Sequence, residues 1–324
     1  MRKSTGILLA SGLVLSLAAC AAPTGPAIDG GSPVDPARCT PIWARGGLAE
    51  DITATGDFGT TSITADFPTP FVAHDATTSA ILSAGDGPVV GPTDIVGGTL
   101  SIFDGKTGWL MTQTDATTLF PLGSEATPYF DAAACATVGS RVAAVGTSAD
   151  VLGASFVSAN GIDPDMTVVS VLDIQHAYLS RAQGSTPPPQ NGLPTVSYTA
   201  DGRPGLSFTN AAAPTELRAE TLIAGTGSTV EAGDTLLVHY PGVVWDTRKV
   251  FQSTWDQGAP VRVALSSVVP GFATAVVGQR VGSQVLVTIP PDLGYGDSPP
   301  SGSGITATDT LVFVIDILGV LPAE

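Results

Sequence analysis

Two stretches near the C-terminus decide the fold: residues 281–297 read VGSQVLVTIPPDLGYGD, and residues 310–318 read TLVFVIDIL. In the second stretch Leu311, Phe313 and Ile315 alternate with Val312 and Val314. Successive side chains of a strand point to opposite faces, so this spacing predicts a sheet strand with one face directed inward. The first stretch predicts another strand, which ends at a pair of prolines. The best helix signal is short, at 270–277, so we expect a curved antiparallel sheet over one short helix.

The composition favours a β-rich protein with an acidic surface. Of the 324 residues 43% are hydrophobic and only 13% are charged, while Gly (38) and Pro (26) are abundant, which favours strands and turns. This length is enough for two domains. The net charge of −16 repels phosphate backbones and anionic headgroups. We therefore expect an α+β protein that does not bind nucleic acid.

The N-terminus has the features of an export signal. Two basic residues precede an apolar stretch at 7–19, which is too short to span a bilayer. The sequence LAAC at 17–20 resembles the lipobox of bacterial lipoproteins, which implies cleavage after residues 1–19 and a lipid on Cys20. We expect an exported protein that the lipid on Cys20 anchors to the cell membrane, facing the exterior of the cell envelope. The alternative is an ordinary signal peptide with an incidental cysteine.

Proline-rich segments divide the rest of the chain. Residues 20–49 contain the cysteine of the lipobox and a stretch rich in Pro, Gly and Ala, which predicts a flexible stalk. Residues 183–192 contain three successive prolines, and such a run forms an extended spacer that cannot join a sheet. We expect two domains, at 50–182 and 193–320.

The two predicted domains carry an internal repeat. Three pairs of segments match in the same order: ILSAGDGPVVGPTDIV (81–96) with LIAGTGSTVEAGDTLL (222–237), GSRVAAVGTSADVLG (139–153) with GSQVLVTIPPDLGYG (282–296), and MTVVSVLDI (166–174) with DTLVFVIDI (309–317). Ordered matches of this kind indicate that one fold was duplicated.

Two cysteines remain once Cys20 is set aside. Outside the cytoplasm Cys39 and Cys135 can oxidise to a disulfide, and the alternative is two separate buried thiols. The sequence does not decide between them, because pairing requires that the two Cα atoms lie within bonding range.

The chain lacks the patterns of common catalytic sites. Its three histidines, His74, His176 and His239, are widely separated, and there is no Cys-x-x-Cys or His-Glu-x-x-His spacing. A nucleophile elbow and a phosphate-binding loop are also absent from the sequence. We therefore expect no metal and no cofactor. If the chain is an enzyme, we expect it to need neither a metal nor a nucleophile.

Five motifs in the second half together resemble the FKBP-type peptidyl-prolyl isomerases. They are VHYPG (238–242), KVFQSTWDQGAP (249–260), VVPGF (268–272), VGSQVLVTIPPDLGYGD (281–297) and TLVFVIDIL (310–318). The resemblance covers about residues 222–320. It implies a half-barrel sheet around a short helix, with an aromatic pocket that receives a proline ring. Combined with the repeat, it implies two tandem FKBP-like domains.

The resemblance also implies roles for residues at the matching positions. The implied catalytic residues are Tyr240, Phe251, Gln252, Tyr295 and Phe313, and the implied substrate-binding residues are Val268, Val269, Phe272 and Ile305. The Tyr295 hydroxyl would donate to a carbonyl of the bound peptide, the Ile305 N–H would bind near the proline, and Phe272 would form the floor. Implied partners are proline-containing segments of exported proteins, with the macrolide ligands of the family as inhibitors.

The chain departs from the family pattern at several positions. Gln252 stands where active members usually have an aspartate, and Phe272 stands where many have a tryptophan. We expect turnover weaker than that of a consensus member, since Gln252 has no carboxylate.

The first copy departs further from the family. The repeat aligns its residues with the implied pocket as follows: Leu100 with Tyr240, Trp109 with Phe251, Leu152 with Tyr295, and Ser170 with Phe313. We expect a degenerate domain that has lost the pocket walls and serves as a spacer or as a surface that holds polypeptide.

Three functional hypotheses follow. The first is a lipoprotein that isomerises X-Pro bonds in exported proteins and so assists their folding. The second is a non-catalytic FKBP-like module that holds polypeptides, which the loss of the aspartate favours. The third, a β-sandwich adhesin or solute-binding lipoprotein, does not explain the ordered motifs.

Overall fold

The structure of the chain is a computed structural model that describes residues 38–73, 76–114, 118–125, 127–189 and 192–322. The expected signal peptide, Cys20 and most of the expected stalk lie outside these ranges. Within the described ranges, every helix is too short or too polar to cross a bilayer.

The first half of the chain forms a seven-stranded sheet and a small hairpin. Its strands are β1 (Ala44–Arg45), β2 (Thr53–Thr55), β3 (Thr64–Asp66), β4 (Thr78–Ser83), β5 (Ile95–Asp104), β6 (Leu110–Gln113), β7 (Leu119–Pro121), β8 (Arg141–Thr147) and β9 (Thr167–Tyr178). The sheet order is β1-β4-β8-β9-β5-β6, β7 pairs with β5, and β2 and β3 form the hairpin. All of these pairs are antiparallel except β1 with β4.

The second half repeats this arrangement. Its strands are β10 (Thr195–Tyr198), β11 (Pro204–Ser207), β12 (Arg218–Ile223), β13 (Thr235–His239), β14 (Pro241–Val244), β15 (Val250–Ser253), β16 (Val261–Ala264), β17 (Gln284–Ile289) and β18 (Leu311–Leu321). The sheet order is β12-β17-β18-β13-β16, β14 pairs with β15 and β18, and β10 and β11 form a hairpin. The predicted α+β class with curved antiparallel sheets is therefore confirmed.

The helices of the described residues are few and short. They are α1 (Ser148–Leu152), α2 (Ala154–Ala159), α3 (Thr254–Gln257) and α4 (Pro270–Val276), with 3-10 turns at Gly47–Asp51, Pro128–Ala133, Leu265–Ser267 and Pro291–Leu293. Helix α4 is the helix predicted at 270–277, and it begins at a proline, whose fixed φ suits the first turn. In the first half, the turn Pro128–Ala133 and helix α1 lie against the sheet, and α2 packs on α1.

The strand register relates the two sheets residue by residue. Ile102 pairs with Ser170 in the first sheet, and Gly242 pairs with Phe313 in the second. Both sheets also have a bulge at the same place in the central pair, before Gly98 and before Val238. This correspondence places Ser170 at the position of Phe313, as the repeat predicted.

Each sheet is covered on both faces, which the alternating pattern did not predict. Val312 and Val314 of β18 face away from α4 and pack with Leu206 and Phe208 at the second hairpin. The first sheet is covered in the same way by residues around the β2-β3 hairpin, such as Phe67. Strand β18 is therefore apolar on both sides because neither face is exposed to water.

The expected stalk ends earlier than predicted. Arg45 lies in β1 and donates a hydrogen bond of 2.8 Å to the carbonyl of Ala134. Cys39 forms a disulfide with Cys135, with a Cα–Cα distance of 5.6 Å. Residues 38–49 thus belong to the first domain, and assigning them to a flexible stalk was wrong, because strand pairing and the disulfide fix them to the sheet.

The expected spacer also begins later than predicted. The N–H of Gln183 donates to the carbonyl of Gly282 at 2.8 Å, and Ser185 forms an antiparallel bridge with Ala224. These residues still carry N–H donors, so they pair with the second sheet before the proline run begins. The assignment of 183–185 to a free spacer was therefore wrong.

The two domains are in direct contact at the end of β9. The N–H of Leu179 donates to the carbonyl of Leu318 at 3.1 Å. The ring of Tyr178 lies on Gly319, where an added Cβ would come within 2.3 Å of the ring. A glycine at this position lets the rings and backbone of the two domains approach closely.

Candidate active site

An apolar hollow of about 110 Å³ lies between α4 and the second sheet. Its lining consists of Tyr240, Gln252, Val263, Ser267, Val268, Val269, Phe272, Tyr295 and Phe313. These residues come from positions far apart in the sequence, and the sheet and helix bring them to one place. Among the described residues that line the hollow there is no carboxylate, amine, imidazole or thiol.

Phe313 stands at the centre of the aromatic wall. Its ring centroid lies 5.7 Å from that of Tyr240, 5.6 Å from that of Phe251 and 5.5 Å from that of Phe272. The interplanar angles of 67 to 90° make all three contacts edge-to-face. Contacts of this geometry each add about 0.5–1.5 kcal/mol beyond the burial of area. The rings therefore form one rigid cluster.

Helix α4 is held close to the sheet, which positions the floor of the hollow. A Cβ added to Gly271 would come within 2.4 Å of Cγ2 of Ile289 on β17. The absence of a side chain at Gly271 allows this approach, and the neighbouring Phe272 is then only 3% exposed. The structure thus places Phe272 beneath the hollow.

The polar groups of the hollow are hydroxyls and one amide. Burial raises the pKa of the Tyr240 hydroxyl, the nearby Tyr295 raises it further, and a hydrogen bond with Gln252 opposes the rise. The Tyr240 phenol therefore remains protonated at neutral pH and can act as a donor. Tyr295 is half-buried and packs against the same cluster.

Two of the expected site residues contact the cluster but do not line the hollow. Phe251 packs its ring against Phe313 from the side of β15. Ile305 is buried in the same core, and its N–H donates to Oγ of Ser303 at 3.2 Å. A peptide carbonyl bound by the Ile305 N–H would have to replace that hydroxyl.

The sequence reasoning missed two lining residues. Val263 lies in β16 and Ser267 in the following 3-10 turn, directly before the VVPGF motif. The alternation of Val261 and Val263 with polar neighbours could have identified Val263, since it predicts one inward face. Nothing in the sequence singled out Ser267.

His239 has a structural role outside the hollow. Its ring stacks on Trp255 at 4.3 Å, and Nδ1 lies 2.7 Å from Oγ1 of Thr254. The same hydroxyl accepts a hydrogen bond from the N–H of Tyr240 at 2.8 Å. Burial lowers the pKa of His239 to about 4, so the ring is neutral at pH 7.

The first domain differs from the expectation in two ways. Register places Met111, and not Trp109, at the position of Phe251, because the bulge in β6 follows Leu110 as the bulge in β15 follows Val250. The domain has also kept a cavity at the corresponding place, although it lacks the aromatic side chains of the second domain at Leu100 and Ser170, as expected. Its walls are aliphatic and aromatic side chains of a different set.

The fold and the hollow define a class of protein. A half-barrel sheet over one short helix presents a small apolar hollow with hydroxyl and amide donors and, among the described residues that line it, without a carboxylate, amine, imidazole or thiol. Such a site suits a reaction in which no covalent bond is broken, and amide rotation at proline is one. The hollow is therefore a candidate site for a reaction of this kind.

Comparison with known proteins places the chain in a family. The family model described as FKBP-type peptidyl-prolyl cis-trans isomerase matches residues 227–318. The FK506-binding protein of Streptomyces anulatus is 33% identical over 120 residues, which cover 36% of this chain and 97% of that protein. The probable FK506-binding protein of Corynebacterium glutamicum is 34% identical over 117 residues, with the same two coverages. The chain belongs to the FKBP-type peptidyl-prolyl cis-trans isomerase family.

A crystal structure of FkpA from Escherichia coli is also similar. It is 29% identical, covers 40% of this chain and 53% of that chain, and has a TM-score of 0.31. Because this score is low, the family assignment rests on the sequence comparisons.

Proposed function

We propose that the second domain isomerises X-Pro bonds in exported proteins, with the proline ring in the hollow over Phe272. The observation that carries this proposal is the size and lining of the hollow. A space of about 110 Å³ between Tyr240, Phe272 and Phe313 matches a pyrrolidine ring and little more.

The proposed mechanism requires only that the amide moves from water into an apolar cavity. The planar X-Pro amide is protected by a rotation barrier of about 18–20 kcal/mol, which resonance maintains. In the twisted amide the nitrogen is less conjugated and the dipole is smaller, so an apolar cavity favours it over the planar form. The Tyr295 hydroxyl is proposed to hold a peptide carbonyl while the proline side rotates.

Gln252 is proposed to reduce the rate without abolishing it. Its amide hydrogen bonds with the Tyr240 hydroxyl at the mouth of the hollow. It carries no charge that could interact with the changing dipole of the amide. The apolar walls remain intact, and we assign most of the rate enhancement to them.

The role in folding follows from the rate of the uncatalysed reaction. Exchange at proline takes tens to hundreds of seconds and can limit folding. We propose that the enzyme acts on exported proteins, held at the cell membrane by a lipid on Cys20. Two observations support this location: the export signal with its LAAC sequence, and the disulfide between Cys39 and Cys135, a bond typical of oxidising compartments.

The isomerase proposal is tested by exchange NMR on a short Ala-X-Pro-Phe peptide. Changing Tyr295→Phe together with Phe313→Ala should lower the enhancement of exchange at least about tenfold. The control Phe58→Ala removes an exposed aromatic ring from the first domain and should leave it unchanged. FK506, the ligand in the names of the relatives, should inhibit. Equal exchange with and without the wild-type protein would exclude catalysis and leave the holding of polypeptides as the function.

The location is tested separately by metabolic labelling with a radioactive fatty acid. Label should enter the full-length protein and be lost in Cys20→Ala. A wild-type protein that is exported without label would contradict the lipid anchor but leave the isomerase proposal intact.

A further inference from the structure

The first domain contains an apolar cavity of about 360 Å³ at the position of the proline hollow. Its lining consists of Leu100, Ile102, Met111, Thr112, Thr114, Phe120, Tyr129, Leu152, Phe156 and Ile162. A volume of this size, with apolar walls and a few hydroxyls, is within the range of ligand-binding pockets.

The strand register makes the two cavities equivalent. Leu100 lies two residues before Ile102, which pairs with Ser170. In the same way, Tyr240 lies two residues before Gly242, which pairs with Phe313. Thr112 pairs with Ile102 as Gln252 pairs with Gly242. The same strand positions therefore contribute wall residues to both cavities, with different side chains.

The difference in volume has a direct cause. At the three positions occupied by Tyr240, Phe251 and Phe313 in the second domain, the first domain has Leu100, Met111 and Ser170. Tyr240 and Phe313 line the smaller hollow, so Leu100 and Ser170 in their places leave more room, and the two volumes are about 110 and about 360 Å³. A proline ring would make few contacts in the larger space, which has room for more than one large apolar side chain.

One polar group of the cavity, the Tyr129 hydroxyl, is carried by a 3-10 turn. Burial raises the pKa of Tyr129, and its ring packs edge-to-face on Phe120 at 5.6 Å. The 3-10 turn that carries Tyr129 is fixed by the disulfide at Cys135 and by Asp131, which accepts the Gly123 N–H at 2.8 Å. Tyr129 thus places a phenol donor at a fixed position of the cavity, whose other lining hydroxyls are those of Thr112 and Thr114.

The rim of the cavity is an exposed apolar strand at the edge of the sheet. Strand β6 ends the sheet order, so its outer edge has no partner strand among the described residues. Trp109, Leu110 and Met111 are 78%, 49% and 40% exposed, and Phe156 on the opposite rim is 45% exposed. An edge of this kind accepts an added strand through main-chain hydrogen bonds, with pockets that select side chains.

We propose that the first domain binds an extended polypeptide segment, which adds to the edge of β6 and inserts large apolar side chains into the cavity of about 360 Å³. The Tyr129 hydroxyl donates to a main-chain carbonyl of that segment. The site has no requirement for proline, so it holds client chains in a way that the second domain does not. It is distinct from the isomerase site and does not depend on catalysis there.

The test uses a proline-free, uncharged peptide of about twelve residues that alternates Phe with Ser and Asn, labelled with fluorescein. Anisotropy titrations with the whole protein measure its affinity. Phe156→Glu should weaken binding about tenfold or more, because it places a charge at the cavity mouth. The matched control is Phe58→Glu, since Phe58 is also 45% exposed in the first domain but does not line the cavity. The control should bind as the wild type does.

A second variant and the isomerase assay make the outcome decisive. Met111→Glu should weaken binding to the same extent, while all three variants keep the wild-type thermal transition and the wild-type exchange rate on the short proline peptide. The proposal is overturned if the wild type does not bind, if Phe156→Glu and Met111→Glu bind as Phe58→Glu does, or if FK506 displaces the peptide. Absence of isomerase activity would contradict the proposed function and leave this result standing.

Discussion

Gln284 donates a hydrogen bond of 2.6 Å from Nε2 to Oδ1 of Asp316, inside the second sheet. At the corresponding position of the first sheet, Arg141 forms a buried ion pair with Asp173 at 2.6 Å. The two domains therefore keep an aspartate at the same place in the last strand and satisfy it differently. Burial raises the pKa of the Asp316 carboxyl to about 6, and the hydrogen bond from the neutral Gln284 amide only partly opposes this rise.

Replacing Arg141 should test how far the first domain depends on its ion pair. Arg141→Met leaves Asp173 buried without a cation and should lower the free energy of unfolding by about 3–5 kcal/mol. Arg141→Gln reproduces the pair of the second domain and should cost less, because one hydrogen bond to the carboxylate survives. Urea denaturation measures both. Equal losses for the two variants would contradict this role of the pair.

The raised pKa of Asp316 predicts a pH dependence of stability. The native carboxyl keeps its proton up to about pH 6, whereas in the unfolded chain an aspartate loses it near pH 4. The stabilisation of the folded state by this carboxyl is therefore fully present below about pH 4. It is lost as the pH rises through about 6, and the loss reaches about 3 kcal/mol. Asp131, whose pKa burial also raises to about 6, acts in the same direction.

The measurement is urea denaturation at a series of pH values between about 4 and 7. Asp316→Asn should flatten the fall in stability over this window relative to the wild type. The exposed Asp292→Asn serves as the control and should leave the slope unchanged. An identical slope in wild type and Asp316→Asn would show that Asp316 is not the source.

Gln252→Asp should raise the rate of isomerisation. The side chain lies at the mouth of the hollow, next to the Tyr240 hydroxyl, where a carboxylate would interact with the twisting amide. We expect an increase of about two- to tenfold in kcat/KM in the exchange assay. Gln257→Asp adds the same charge at the end of α3, outside the hollow, and should have no effect. A rate that both substitutions change equally would point to overall charge instead.

Gly242→Ala should damage the site without introducing polarity. A Cβ at this position would come within 2.6 Å of the Phe251 ring and 2.9 Å of the Phe313 ring, so both rings must move. We expect about tenfold lower kcat/KM and a loss of about 1–3 kcal/mol in stability from overpacking. Gly233→Ala is the matched control, because nothing lies within 4 Å of its added Cβ. Wild-type activity in Gly242→Ala would show that the positions of these rings do not affect catalysis.

Reduction of the disulfide should destabilise the first domain only. The bond between Cys39 and Cys135 closes a loop with a sequence separation of 96, and removing such a bond costs about 2–4 kcal/mol. The second domain contains no cysteine, so isomerase activity should persist. Calorimetry of the wild type and of Cys39→Ser with Cys135→Ser measures the loss. A transition that reductant leaves unchanged in the wild type would contradict the stabilising role.

Much of the second domain could be predicted from the sequence because its signals are local. The alternating side chains of β18 identify that strand. The prolines after β17 mark where that strand ends, and Pro270 marks where helix α4 begins. Tyr240 and Phe313 were identified as pocket residues for the same reason, since each belongs to a short motif. Ser267 was not, because its position in the hollow depends on the 3-10 turn that brings it there.

The sequence by itself predicted the strands β17 and β18, the helix α4, the duplication and most of the residues that line the hollow, because each belongs to a short local motif. The tertiary structure decided three other features: the pairing of Cys39 with Cys135, the hairpins that cover both sheets, and the enlarged cavity beside Met111. The physical reason is that these features depend on register between distant segments. A shift of one or two residues, such as the bulge that exchanges Trp109 for Met111, changes which side chain faces the cavity and leaves the local sequence pattern the same.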